Sequence, residues 1–124
     1  MNYIMVIDDS TTLRTSIEYA LKKFGCQIKQ SENGAIALDD IREIRKIGGD
    51  IRLCICDMNM PVMDGISFTQ EFRKNDKFTP ILMLTTETGE DMIRKGKEAG
   101  ATGWIIKPFK PAELVSVVEK MIID

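Results

Sequence analysis

The sequence predicts an α/β fold of the (βα)5 type: five parallel strands alternate with five helices, which cover both faces of the sheet. Three observations predict it. Short apolar runs alternate with segments of helical periodicity along the whole chain. Four of the five runs are nearly continuous in apolar character, as strands buried on both faces must be. No linker rich in Ser, Pro or Gly, low-complexity tract or internal repeat interrupts the alternation.

The first strand is Tyr3 to Ile7. A helix follows with Ser10 as N-cap, Leu13, Ile17, Ala20, Leu21 and Phe24 on one face, and Gly25 just past its end. The second run, Gln27 to Ser31 around Ile28, alternates in polarity and reads as an edge strand. Leu38, Ile41, Ile44 and Ile47 then mark a helix that stops at Gly48-Gly49. Leu53 to Cys56 is the third strand, and the next helix follows Asp64-Gly65 with Ile66, Thr69 and Phe72 inward. Ile81 to Leu84 is the fourth strand, with a helix from near Glu90 to Gly100. Trp104 to Ile106 is the fifth strand, and Pro111 opens the last helix, since proline suits a first helical turn.

Composition narrows the function classes. The chain has 124 residues, 44% of them hydrophobic and 29% charged, so one domain over 1–124 is expected, with a core that needs neither disulfide nor structural metal. Seventeen Lys plus Arg face nineteen Asp plus Glu without a basic stripe, which speaks against nucleic-acid binding. No apolar stretch is long enough to span a membrane and no signal peptide opens the chain, so a cytoplasmic location without membrane insertion is expected. Cys54 and Cys56 share one strand face with parallel Cβ directions, which suits packing better than a bridge, and Cys26 is distant in sequence. Histidine is absent, which excludes a histidine triad, an imidazole ligand or a phosphohistidine within the chain.

Strict alternation with right-handed crossovers brings all strand carboxyl ends to one edge, where open α/β sheets bind ligands. Asp8 and Asp9 follow the first strand, Asp57 the third, Thr85 and Thr86 the fourth, and Lys107 the fifth. Any one of these is an ordinary loop residue; together they put three carboxylates, a hydroxyl and an ammonium in one pocket. Carboxylates about 5 Å apart repel by roughly 3 kcal/mol per pair at an effective dielectric near 20, so a cation is implied. All-oxygen ligands in a small open site suit Mg²⁺. With Lys107, one divalent ion neutralises the three acids, and the site can receive an anionic phosphoryl group. Asp57, ending a central strand, is the expected nucleophile, with Asp8 and Asp9 on the metal. Lys107 and the Thr85 hydroxyl face the developing phosphoryl oxygens.

These residues resemble the receiver-domain family of two-component response regulators across essentially the whole chain, most closely its single-domain chemotaxis type. The resemblance rests on Asp8-Asp9-Ser10, on Asp57-Met58-Asn59-Met60-Pro61-Val62-Met63-Asp64-Gly65, on Leu84-Thr85-Thr86-Glu87 and on Lys107-Pro108-Phe109. It implies a flavodoxin-like fold with strand order 2-1-3-4-5 and a cis Lys107-Pro108 bond. It also implies phosphorylation of Asp57, Mg²⁺ bound by Asp9, Asp57 and the backbone carbonyl of Asn59, and Asp8 acting mainly through water.

The same resemblance implies a switch in which Thr85 moves toward the phosphoryl group and Trp104 turns inward, although Trp104 stands where the chemotaxis type has Tyr. Ordinary packing is the other reading of Trp104. No second domain follows Asp124, so the output is expected to be a protein-binding surface. Leu114, Val115, Val117, Val118, Met121 and Ile122 cover an arc of about 160° on the last helix, which makes its flank, at Val115 or Val117, a docking candidate. Asp64-Gly65 reads as a turn and cap, Met58, Met60 and Met63 as core or contact surface, and Asn59 and Glu87 as governors of water access. The expected partners are a histidine kinase as donor, a downstream effector such as the flagellar motor switch, and a phosphatase. A phosphorelay carrier that passes phosphate to a phosphotransfer protein is a second reading. An aspartate-nucleophile phosphatase of small esters is a third, against which stand adjacent acids after the first strand and the lack of a cap domain.

Overall fold

A computed structural model describes residues 1–86 and 89–122. Five strands, β1 (Asn2–Ile7), β2 (Gln27–Ser31), β3 (Asp50–Asp57), β4 (Ile81–Thr85) and β5 (Gly103–Ile106), form one parallel sheet in the order β2-β1-β3-β4-β5. The helices are α1 (Thr11–Ala20), α2 (Gly34–Lys46), α3 (Gly65–Arg73), α4 (Glu90–Ala99) and α5 (Pro111–Met121). This is the predicted doubly wound arrangement, with the alternating segment β2 at an edge as expected.

Each face of the sheet carries its own core. Ile17 from α1, Leu21 just past its end, and Leu114 and Val118 from α5 pack on Ile4, Val6, Leu53, Ile55, Leu82 and Leu84. Ala37, Ile41 and Ile44 from α2 and Phe68 and Phe72 from α3 pack on Met5, Ile7, Cys54, Cys56, Ile81 and Met83, with Met92 of α4 against the same cluster. The two sets alternate along each strand, as a period of two dictates. The wide apolar arc of α5 is accounted for mainly by this packing, since Val117, Met121 and Ile122 also lie against the core.

Two helices differ from expectation. The first stops at Ala20: the Leu21 N–H bonds both the Ile17 and Glu18 carbonyls, the chain tightens into a 3-10 turn over Lys22–Phe24, and only then does Gly25 turn with φ 70°. On α3 the buried stripe is Gly65, Phe68, Thr69 and Phe72, while Ile66 is half-buried. Phe68 is fully buried and stacks on Phe72 with ring centroids 5.7 Å apart. Such a ring contributes about 2–3 kcal/mol by burial alone.

Local chemistry fixes the helix starts near the carboxyl edge. Ser10, Asn33 and Asp64 cap α1, α2 and α3 by accepting from the N–H groups of Leu13, Ile36 and Ser67. At the opposite edge, burial would raise the Asp76 carboxyl. Hydrogen bonds from the Thr79 hydroxyl, from the Thr79 and Phe78 N–H groups and from Arg45 overrule that and hold it down at about 2.

Two glycines in contact with one residue, Met58, should respond in opposite ways. A Cβ on Gly65 would lie 2.5 Å from the Asp57 carbonyl oxygen and 2.9 Å from Met58 Cα, so Gly65→Ala should cost about 1–3 kcal/mol. A Cβ on Gly96, inside α4, would meet Met58 Cε at an ordinary 3.9 Å, so Gly96→Ala should gain up to about 1 kcal/mol from helix propensity. Urea denaturation of both variants checks this, and a shift of the same sign in both would contradict the packing described.

Candidate phosphoryl-acceptor site

The parallel sheet delivers β1 and β3 side by side, so Asp8, Asp9 and Asp57 leave adjacent strands at the same edge. They offer carboxylate oxygens within 4.8 Å of one another. Asp8 and Asp57 are buried, at 1% and 5% exposure, and Asp9 is open to solvent. Lys107 reaches this cluster from the loop after β5: its Nζ lies 3.1 Å from Asp8 Oδ2 and 3.2 Å from Asp57 Oδ1. Its own N–H donates to the Thr85 carbonyl at 2.8 Å, and the Lys107-Pro108 peptide bond is cis.

The three acids are held differently. Both oxygens of Asp8 are engaged, Oδ1 by the Ser10 N–H at 2.8 Å and Oδ2 by Lys107. Asp57 accepts through Oδ1 only, from Lys107 and from the Asn59 N–H at 3.3 Å, which leaves its Oδ2 without a protein donor among the described residues. Burial, and then the charge of Asp8, raise the Asp57 carboxyl above its ordinary range, while Lys107 and the Asn59 N–H oppose them. Burial works against the charge of Lys107, but Asp8 and Asp57 together push the ammonium's pKa up. An all-oxygen cluster of this kind, with one carboxylate open to solvent, fits a hard divalent cation.

Four of the expected residues, Asp8, Asp9, Asp57 and Lys107, are thus brought together, with Asn59 against Asp57 through its N–H. Thr85 is buried at the end of β4, and its hydroxyl lies 3.6 Å from Met58 Sδ. Trp104 sits on β5 opposite Met83 of β4, half-buried, with Lys97 Nζ of α4 5.4 Å from its ring centroid. Glu87 lies outside the described residues. Cys54 and Cys56 are fully buried, and burial pushes the Cys54 thiol up to about 12, so both act as packing groups.

Three contributors were not read from the sequence. Arg14 of α1 donates from Nη1 to the Asp8 carbonyl at 2.6 Å and from Nε to Gln30 Oε1 at 3.1 Å, which ties the acidic loop to β2. Its place one turn into a helix that begins beside Asp8-Asp9 is the signal that would have found it. Gly65 lets α3 approach the Asp57–Met58 backbone. Val62, exposed and β-branched, has φ 71° at the centre of a turn in which the Met63 N–H donates to the Pro61 carbonyl at 2.8 Å. That is the strained γ-turn, in the loop between β3 and α3.

The raised Asp57 pKa has a consequence for stability. A carboxyl whose folded pKa exceeds its unfolded value contributes stability that is present below its ordinary value of 3.8 and lost as pH rises through the folded value. In metal-free buffer Asp57→Asn should therefore melt a few degrees above the parent at neutral pH, and the gap should close as the pH falls toward 4. Thermal melts across that range check it; a less stable Asn variant at pH 7 would contradict the electrostatics described.

Comparison with known proteins places this geometry. The model of the response regulator receiver domain family matches residues 4–119. Chemotaxis protein CheY1 of Helicobacter pylori is 32% identical over 119 residues, which cover 94% of this chain and 93% of that protein. The transcriptional regulatory protein PrrA of Mycobacterium leprae is 33% identical over 119 residues, and there the chain spans about half, 49%, of the relative's length. The solved structure of chemotaxis protein CheY4 of Vibrio cholerae superposes with a TM-score of 0.87 at 36% identity over 99% of both chains. The fold, the family match and the full-length relatives agree: this chain belongs to the receiver-domain family of two-component response regulators.

Proposed function

We propose that this protein is a phosphorylation-controlled binding switch, phosphorylated on Asp57 by a histidine kinase. The observation that carries the reading is the buried Asp57 carboxylate, held through Oδ1 by Lys107 and the Asn59 N–H, with Oδ2 turned away from protein donors among the described residues. The free oxygen is the one assigned to attack. A bond forms from Oδ2 to the phosphorus of a phosphohistidine on the kinase, the N–P bond breaks, and the imidazole leaves with a proton from water. Absence of histidine in this chain requires the donor to act in trans.

Mg²⁺ is proposed on Asp9, Asp57 and the backbone carbonyl of Asn59; when bound it neutralises the carboxylates and polarises the phosphoryl oxygens. Asp8, with both oxygens already engaged, is assigned a contact through water. Lys107 lies 3.2 Å from Asp57 Oδ1 and carries the positive charge that meets an incoming phosphoryl group. The Thr85 hydroxyl, one peptide from Thr86 at the same sheet edge, is assigned to donate to a phosphoryl oxygen after a movement away from Met58. Trp104, packed between the sheet and Lys97 of α4, is the proposed reporter of that movement toward the face made by α4, β5 and α5.

The output is then a surface for a partner protein. The match over nearly the whole of CheY1 and CheY4 supports a chemotaxis role in which that partner belongs to the flagellar motor switch. Return to the resting state is by hydrolysis of the acyl phosphate, with or without a separate phosphatase. No helix among the described residues is long and apolar enough to cross a membrane.

Incubation with acetyl phosphate and Mg²⁺ should add one acid-stable, base-labile phosphoryl group per chain, seen as a mass increase of about 80 Da, the mass of one phosphoryl group. Chelation of the metal should abolish it, Asp57→Asn should remove it, and Lys107→Ala should slow it by about 100-fold or more, the range for loss of one electrostatic donor. Full labelling of the Asp57→Asn protein would remove Asp57 as acceptor.

A further inference from the structure

Met58 follows Asp57, and its main chain is pinned on both sides. Its N–H donates to the Leu84 carbonyl at 2.8 Å, and its carbonyl accepts from the Gly65 N–H at 3.0 Å. With the backbone fixed, the side chain is the part that can respond. It is buried, its sulfur accepts from the Thr85 hydroxyl at 3.6 Å, and its methyl faces Gly96, the buried residue of α4, 3.9 Å from where a Cβ on that glycine would lie. One thioether therefore runs from the residue assigned to the phosphoryl group toward the helix that borders the output face.

Resting on the phosphorylation reading above, we propose that Met58 is a positioning residue: its sulfur holds the Thr85 hydroxyl in the resting conformation, and phosphorylation draws the hydroxyl off it. A thioether is a weak acceptor, so the bond biases the buried hydroxyl without locking it in place. A phosphoryl oxygen is charged, and hydrogen bonds to charged acceptors are roughly twice as strong. The exchange is therefore uphill before phosphorylation and downhill after it. A carbonyl or carboxylate at the sulfur's place would compete with the phosphoryl group on nearly equal terms and blunt the switch.

The shape of methionine matters as well as its acceptor. An unbranched side chain with a polarisable sulfur can change rotamer and refill the space that Thr85 leaves, while its methyl stays on Gly96. A β-branched residue there would fix its volume close to the pinned main chain and resist the rearrangement. The local arrangement thus links occupancy of Asp57 to α4 through one flexible side chain, without a continuous polar chain between them.

The test uses the full chain at saturating Mg²⁺, titrated with beryllofluoride as phosphoryl mimic and followed by NMR at Thr85. Met58→Leu removes the acceptor and keeps the bulk, so the half-saturating concentration should fall roughly three- to tenfold, the weight of one modest hydrogen bond. In a chain with valine at position 85 the same Met58 substitution should shift it by less than about twofold, because the paired hydroxyl is gone. The valine chains are read at the residue 85 amide. No shift from Met58→Leu, or an equal shift in the valine chain, would overturn the proposal and leave Met58 as packing. Acetyl phosphate labelling of the unmodified chain reports separately on the phosphorylation reading.

Discussion

A single ammonium lying between two buried carboxylates organises the carboxyl edge of this sheet. Strands in a sheet are spaced by about 4.8 Å, so a residue after β5 must reach past β4 to meet Asp57 on β3 and Asp8 on β1. Lysine has the length to do so, and the hydrogen bond from its N–H to the Thr85 carbonyl anchors its base beside β4. Without this charge Asp8 and Asp57 would face each other with little to offset their burial, and the raised Asp57 pKa shows that even with it the offset is incomplete. The residual strain is what a divalent cation is suited to relieve.

The pocket was readable because the fold is regular. Parallel alternation sends every strand's carboxyl end to one edge, so the sequence points Asp8, Asp9, Asp57 and Lys107 to one pocket, where the structure has them, while Thr85 ends β4 with its hydroxyl toward Met58. The interactions that aim those side chains were harder to see. Arg14 and Gly65 act through backbone atoms of the acidic loop and of Asp57, and a sequence does not display which carbonyl a guanidinium will find or how closely two backbones approach. Phe68 was missed for a different reason. Its helix is nine residues long and has apolar residues on two sides, so periodicity alone did not separate the buried stripe from the half-buried Ile66.

Helix ends show the same limit at smaller scale. Gly25 was rightly placed at a left-handed turn, yet the α-helix before it stops at Ala20, because a 3-10 turn satisfies the intervening carbonyls at no cost in composition. The α5 arc looked too wide for one core and turned out to be used largely for packing, so the sequence overstated that helix as a free surface. Met58 shows the limit from the other side: a methionine beside Asp57 reads as core or contact surface, and only the structure puts its sulfur 3.6 Å from the Thr85 hydroxyl and its methyl toward Gly96.

The central claim is that Asp8, Asp9 and Asp57 form one divalent-cation site whose charge Lys107 only partly balances. Calorimetric titration of the unphosphorylated chain with Mg²⁺ tests it most directly. One ion should bind per chain, and Asp9→Asn, which alters the solvent-exposed carboxylate while leaving the buried pair and Lys107 in place, should weaken binding by at least about tenfold. Equal Mg²⁺ affinity in the two proteins would contradict the account.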